Sequence, residues 1–232
     1  MSFIVDRKMP DNMIEKLKAF GDVYKSAKIY TEDESVSTHP DMQIHFISAD
    51  TAVCHPDTAE YYAEILPSDI KILKGRTKAE GTYPAICAYN IARVDKFVIC
   101  NTKYAEKSII DFYNENGYKI IHVNQGYAKC NICPLTSDVF ITEDVGIFNT
   151  TKEIEGITPI LIEHGSVKLK GFDYGFVGGA SGLFKNKLLL CGSLKGNSNQ
   201  NKIKNALKTY GCEYAELSDK ALCDFGSIIF FE

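Results

Sequence analysis

His39-Pro40-Asp41 sets an imidazole and a carboxylate two residues apart. On an extended segment that spacing turns both side chains to one face. There they can serve one ligand, the first as a proton donor or acceptor and the second as a charge partner. Gln43 and His45 continue the same stripe. The plainer alternative is a loop in which His39 is a cap and Asp41 accepts backbone amides at a turn. Cys130-Asn131-Ile132-Cys133 is the second constellation. Two thiols so spaced can bind zinc if two further ligands arrive, and His39 or His45 are the candidates. They can form a redox pair, although that motif belongs at a helix start in a thioredoxin-like unit and Pro134 follows here. One of them can be a nucleophile beside Lys129 and an imidazole, or both can simply pack. Asp224 suits either a bound cation or a turn cap. Asn90 and Asn131 lie in the same polar segments. Gly178-Gly179-Ala180-Ser181-Gly182 lacks the spacing of a dinucleotide or phosphate loop. It reads as backbone approached closely, by another strand or by a ligand. His55, His122 and His164 fall at strand ends and read as structural.

These segments recur at a fixed interval. Short polar segments begin at Asp41, Cys87, Cys130, Gly178 and Asp224, at steps of 43 to 48 residues, and the fifth unit is completed through the chain ends. Such a period marks a repeat architecture. Each unit reads strand, strand, helix, strand. The apolar runs Ala52–Cys54, Phe97–Cys100, Val139–Thr142 and Leu188–Cys191 are equivalent strands, and Phe3–Val5 supplies the fifth. Amphipathic stretches at 105–115 and 202–210 read as helices ended by Gly117 and Gly211, and one after Pro10 ends at Gly21. The third unit has only a short polar stretch at 149–156, which predicts a single turn or a loop. Ile228–Glu232 runs on into Met1–Val5 as though the pattern were uncut, so the last strand is expected beside the first. The expectation is one α/β domain over residues 1–232, a five-fold pseudo-symmetric α/β propeller closed by its two termini, with the polar segments lining its axis.

Composition narrows the function classes. The chain is 45% hydrophobic and 24% charged, with a net charge of −4, which offers nothing to nucleic acid or an anionic membrane. Its 23 lysines against three arginines suggest a bacterial genome. The N-terminus has no apolar run of signal-peptide length and no segment approaches membrane-spanning length, so a cytoplasmic protein is expected. Eight cysteines then mean thiols. Cys54, Cys100 and Cys191 end equivalent apolar strands and read as small core residues.

The five-fold unit, with the stretches His39–His45, Gln125–Cys130 and Gly175–Gly182, resembles the pentein superfamily over essentially the whole chain. That superfamily includes arginine and agmatine deiminases, dimethylargininases, amidinotransferases and a non-catalytic ribosome anti-association factor. A bacterial family grouped with those enzymes is similar too. The resemblance implies a cysteine that attacks a guanidinium carbon, a His-x-Asp motif for proton transfer and guanidinium pairing, a small-molecule ligand on the axis and no cofactor. His39-Pro40-Asp41 matches His-x-Asp. The nucleophile of the relatives belongs to the terminal repeat, where Gly226 stands here with Cys223 three residues earlier. Cys130 occupies the equivalent start two repeats after Asp41. The implied catalytic set is therefore Cys130, His39 and Asp41, with Gln43, His45, Lys129, Asn131, Asn90 and Asp224 around substrate. The expected activity is hydrolysis of a small guanidino or amidino compound, with Lys129 or His39 lowering the Cys130 pKa. The alternatives are a non-catalytic ligand-binding protein of the same fold and a small zinc site at Cys130 and Cys133.

Overall fold

A computed structural model describes residues 1–232. Its first strand, β1 (Ser2–Val5), is followed by α1 (Asp11–Lys18) and the parallel strand β2 (Asp22–Lys25). Four complete units come next. The first is β3 (Ile44–Phe46), β4 (Thr51–Cys54), α2 (Ala59–Ile65) and β5 (Lys71–Lys74). The second is β6 (Ala92–Val94), β7 (Phe97–Cys100), α3 (Lys107–Glu115) and β8 (Lys119–His122). A short helical turn, α4 (Ala128–Asn131), leads into β9 (Ile132–Pro134), β10 (Val139–Thr142), α5 (Val145–Thr151) and β11 (Thr158–Leu161). The fourth is β12 (Ser181–Phe184), β13 (Lys187–Leu190), α6 (Gln200–Thr209) and β14 (Glu213–Glu216), and β15 (Ile229–Phe231) ends the chain.

The result is five three-stranded sheets of one design. In each, the central strand pairs antiparallel with its inner neighbour and parallel with the strand that follows its helix. The fifth sheet has the order β15-β1-β2, and Ser2 lies opposite Phe231. The expected closure by the two ends is therefore present. The central strands Phe-Val-Ile-Cys (β7) and Val-Phe-Ile-Thr (β10) are buried at every position. They carry unbroken apolar runs because both faces are covered. The outer strands β2, β5 and β8 are exposed at both ends and only half-buried in the middle.

Most of the hydrophobic core is a ring of five clusters, each at a seam between neighbouring sheets, and a sixth, smaller cluster joins Ile29, Val36, Met42, Ile86 and Cys87. Ile4 and Phe231 meet Ile44, Ala52 and Tyr62 at one seam. Phe3 and Val5 meet Leu189 and Cys191 at the next. The remaining seams join β4 to β7, β7 to β10, and β10 to β13. Cys54, Cys100 and Cys191 lie in these clusters, and all eight cysteines are free thiols. No helix is long and apolar enough to cross a membrane.

Two local expectations need correction. The third unit's helix is not a single turn at 149–156; it runs Val145–Thr151. Asp144 starts it, its Oδ1 accepting the Ile147 amide at 2.7 Å, and Ile147 anchors it in the core. Likewise, the segment at 39–45 is not extended throughout. Pro40–Met42 forms a 3-10 turn with Pro40 in its first position. The stripe of His39, Asp41, Gln43 and His45 is thereby broken up.

Candidate functional site

Five sheets around one axis bring their first segments together. Close approach there needs glycine. A Cβ on Gly178 would lie 2.5 Å from the Ile132 carbonyl oxygen and 2.6 Å from that of Cys130. The glycine-rich run thus reads as strand approach around a narrow axis, one of its two expected meanings.

At the hub, one ring nitrogen of His39, one carboxylate oxygen of Asp41 and the Cys130 sulfur all lie within 4.8 Å of one another. The three proposed catalytic residues, from two distant repeats, are brought together, and each is buried. The Cys130 thiol donates to Asp41 Oδ2 at 3.0 Å. Asn90 holds the same residue from the other side. Its Nδ2 donates to Cys130 Sγ at 3.1 Å, and its Oδ1 accepts the Lys129 and Cys130 amides at 2.8 and 3.3 Å. Asn90 therefore orients the thiol and saturates the first amides of α4. Ser227 Oγ lies 2.8 Å from Asp41 Oδ2, and Lys129 Nζ donates to Ser227 at 3.2 Å.

His39 stands between two carboxylates. Its Nε2 is 3.8 Å from Asp6 Oδ2 and its Nδ1 is 3.9 Å from Asp224 Oδ1. Asp224 is fixed by the Phe176 and Gly226 amides at 2.9 and 2.8 Å. Burial nevertheless pushes its pKa above the ordinary carboxylate value, with His39 opposing that shift. His39 Nδ1 and Asp41 Oδ1 are buried without a hydrogen-bond partner. Buried polar atoms are normally paired, so two unpaired ones beside a thiol set this hub apart from ordinary packing.

Cys130, His39 and Asp224 border a cavity of about 220 Å³, walled by Tyr127, Leu169 and Phe176. Asp41 does not border it. With His45, Arg93 and Lys129 it faces a second hollow of about 160 Å³. The Cys130–Asp41 hydrogen bond lies between the two spaces. The carboxylate that lines the thiol cavity is thus Asp224, and Asp41 holds the thiol from behind.

The remaining expected site residues divide. Lys129 and His45 are brought together, but in the second hollow, where His45 Nε2 is 2.8 Å from the Tyr113 hydroxyl. Burial and the charges of Arg93 and Lys129 depress the His45 pKa to about 3. Gln43 is wholly engaged in structure, donating to the Ala27 and Ser37 carbonyls and accepting from Tyr62. Asn131 donates to the Tyr127 carbonyl and is likewise internal. Cys133 turns away from the hub into the core seam between β10 and β13, and burial raises its pKa to about 12. A zinc site shared by Cys130 and Cys133 is not formed. Nor is the Cys130 thiol activated at rest: burial first, then the Asp41 and Asp224 charges, raise its pKa well above a free thiol's. The idea that Lys129 lowers it fails because Lys129 points to the other hollow.

Asp6, Glu143, Ser227 and Phe176 were missed. Asp6 and Glu143 each follow a central strand directly, at the register position taken by His55 and Asn101 in other units. That shared offset was a usable signal. Phe176 had none, because its place depends on the long loop before β12.

Over residues 4–229 the sequence matches the family described as "Family of unknown function (DUF6873)". The chain belongs to that family. No curated protein matches it. Among solved structures, this DUF6873 chain is similar to dimethylarginine dimethylaminohydrolase from Pseudomonas aeruginosa, in a cysteine-to-serine variant complexed with citrulline. The TM-score is 0.57 at 9% identity, covering 94% of this chain and 91% of that one. A dimethylarginine dimethylaminohydrolase adduct with 4-chloro-2-hydroxymethylpyridine gives a TM-score of 0.53 at 9% identity over 94% and 92% of the two chains. A histidine-to-glycine variant in adduct with S-methyl-L-thiocitrulline gives 0.57 at 9% identity over the same shares. The DUF6873 chain has the pentein fold of these hydrolases.

Proposed function

We propose that this protein is a thiol-dependent hydrolase of a small guanidinium or amidinium compound. The observation that carries the reading is the convergence of the Cys130 sulfur, a His39 ring nitrogen and an Asp41 oxygen within 4.8 Å, beside a cavity that Asp224 also borders. A cation entering that cavity meets the Asp224 carboxylate, a charge-assisted and directional pairing. Its positive charge also offsets the carboxylates that keep Cys130 protonated, so activation of the thiol accompanies binding. Cys130 Sγ then attacks the central carbon while its proton passes to Asp41 Oδ2, to which it already donates. The carbon–nitrogen bond to the departing amine breaks as His39 donates a proton to that nitrogen. Water adds to the thiouronium carbon and yields a proton to His39. The carbon–sulfur bond breaks, the proton held on Asp41 returns to sulfur, and the product leaves as a urea once its hydroxyl proton passes to solvent or the departing amine. Asn90 positions the sulfur throughout.

The test is amine or ammonia release from guanidinium compounds, with mass spectrometry of the trapped adduct. Turnover is expected to vanish in Cys130→Ala, to persist in Cys223→Ala, and to leave a transient adduct on Cys130. Undiminished turnover in Cys130→Ala would reject the assignment.

A second reading rests on the same cluster. His39, Asp41 and Cys130 offer nitrogen, oxygen and sulfur to one point, a donor set suited to zinc with one position left open. Zinc bound stoichiometrically by the native protein and lost in His39→Ala would favour it.

A further inference from the structure

The cavity in front of Cys130 has walls of uneven chemistry. Its charged lining is acidic apart from His39: Asp224 at depth and Asp173 on an exposed loop. No lysine or arginine borders it. Arg93 and Lys129 face the second hollow, and Arg76 lies in a groove beside β5. The other walls are aromatic. Tyr127 and Tyr174 flank Phe176 with ring centroids 6.1 and 5.9 Å from it. The loop that carries Leu169, Phe172, Tyr174 and Phe176 is held in place by the Val167–Gly175 bridge, so this wall is part of the fold. At about 220 Å³ the space is small, below the ~300–1,000 Å³ usual for drug-sized ligands.

Resting on the guanidinium reading above, we infer that this cavity selects substrates whose tail is apolar or aromatic and bears no carboxylate. An amino-acid tail would bring a carboxylate into a space with no lysine or arginine to pair it and with Asp173 and Asp224 to repel it. A charge removed from water without a partner is strongly disfavoured. An apolar tail instead lies on the Phe176 and Tyr127 faces, and its cationic head sits at Asp224, within reach of the ring faces. The substrate class is therefore alkyl- and arylalkyl-guanidines or -amidines, distinct from arginine-type amino acids.

The experiment pairs binding with turnover. Benzylguanidine, arginine and 4-guanidinobutyrate are titrated calorimetrically into Cys130→Ala, and their hydrolysis by the native protein is followed in parallel. Benzylguanidine is expected to bind at least ~10-fold more tightly than either carboxylate-bearing compound, a difference of about 1.4 kcal/mol. Equal or tighter binding of arginine or 4-guanidinobutyrate would overturn the inference while leaving the hydrolase reading intact. Turnover that survives in Cys130→Ala would sink the hydrolase reading while the binding preference stood. Absence of binding by all three would sink both. Two variants separate selection from folding. Asp173→Lys lies on an exposed loop and is expected to improve 4-guanidinobutyrate binding at least ~threefold with little effect on benzylguanidine. Phe176→Ala is expected to weaken benzylguanidine severalfold and methylguanidine hardly at all. Parallel changes for both ligands in either variant would contradict the assigned walls.

Discussion

Glu143 shows what the hub demands of single residues. Its side chain is buried, its Oε2 accepts the Val177 amide at 2.8 Å, and its Oε1 has no partner. Burial, with the Asp224 charge adding to it, lifts its pKa from the ordinary 4.5 to about 7. An unfolded chain loses this proton near 4.5, whereas the native chain keeps it until about 7. Stability from this group is therefore full below the lower value and is lost as pH rises across that window, by about 3 kcal/mol in all. Glu143→Gln retains an acceptor for Val177 and removes the titration. Urea unfolding at pH 5 and pH 8 is the measurement. The native protein should lose stability between the two, and the variant should lose less and exceed it at pH 8. An identical pH dependence in both would show that Glu143 is charged in the fold. The thiol obeys the same rule: burial and the Asp41 and Asp224 charges raise the Cys130 pKa and hold it protonated in the free protein. Slow alkylation of the free protein at neutral pH is thus compatible with catalysis and does not by itself argue for a binding protein.

At the scale of elements, the turn at Gly226 fixes the position of His39. Gly226 has φ +67°, and a Cβ there would lie 2.7 Å from His39 Cα. Gly211, which ends α6, has φ +65° but open space around it. Gly211→Ala should therefore cost only the left-handed penalty of about 1–2 kcal/mol. Gly226→Ala adds a backbone collision and should cost clearly more, by about 2 kcal/mol or above, and it should abolish turnover. Equal losses in the two variants by urea unfolding would mean that the turn does not brace His39. Elements of this kind mark the boundary of what was legible from residues alone. The central strands were readable because burial on both faces writes an unbroken apolar run. The helices α1, α3 and α6 were readable from their one-sided faces. The 3-10 turn at Pro40–Met42 was not, since it is set by tertiary bonds such as Asp41 N to the Gly226 carbonyl, 3.3 Å away. For the same reason the convergence of His39, Cys130 and Asp224 at the hub was legible from type and register, while the side of the hub that Asp41 and Lys129 face was not.

For the whole molecule, the decisive property is that the ring has no seam of its own at the chain ends. Ser2 pairs with Phe231, so Glu232 and Met1 occupy the place of a two-residue hairpin loop. Phe231 also stacks on Phe46 with centroids 5.1 Å apart, tying the last strand to the first complete unit. Pairing the terminal strands covers an edge of β1 that would otherwise be exposed. If the five seams share stability around the ring, the position of the break in the chain is immaterial. A circular permutant tests this directly. Asn-Gly in place of Glu232-Met1 provides the preferred two-residue turn, and new ends between Glu80 and Gly81 fall in an exposed bend between the first and second complete units. Thermal unfolding of the permutant should remain a single transition within a few degrees of the native one, and the hub should keep its turnover. Removing Ile229–Glu232 instead deletes one strand, uncovers β1 and strips Phe231 from the Ile4–Tyr62 seam, and should abolish cooperative unfolding. A permutant that fails to fold while the truncated chain unfolds cooperatively would show that the ends are an appendage, and the hub would then have to be held together by four sheets alone.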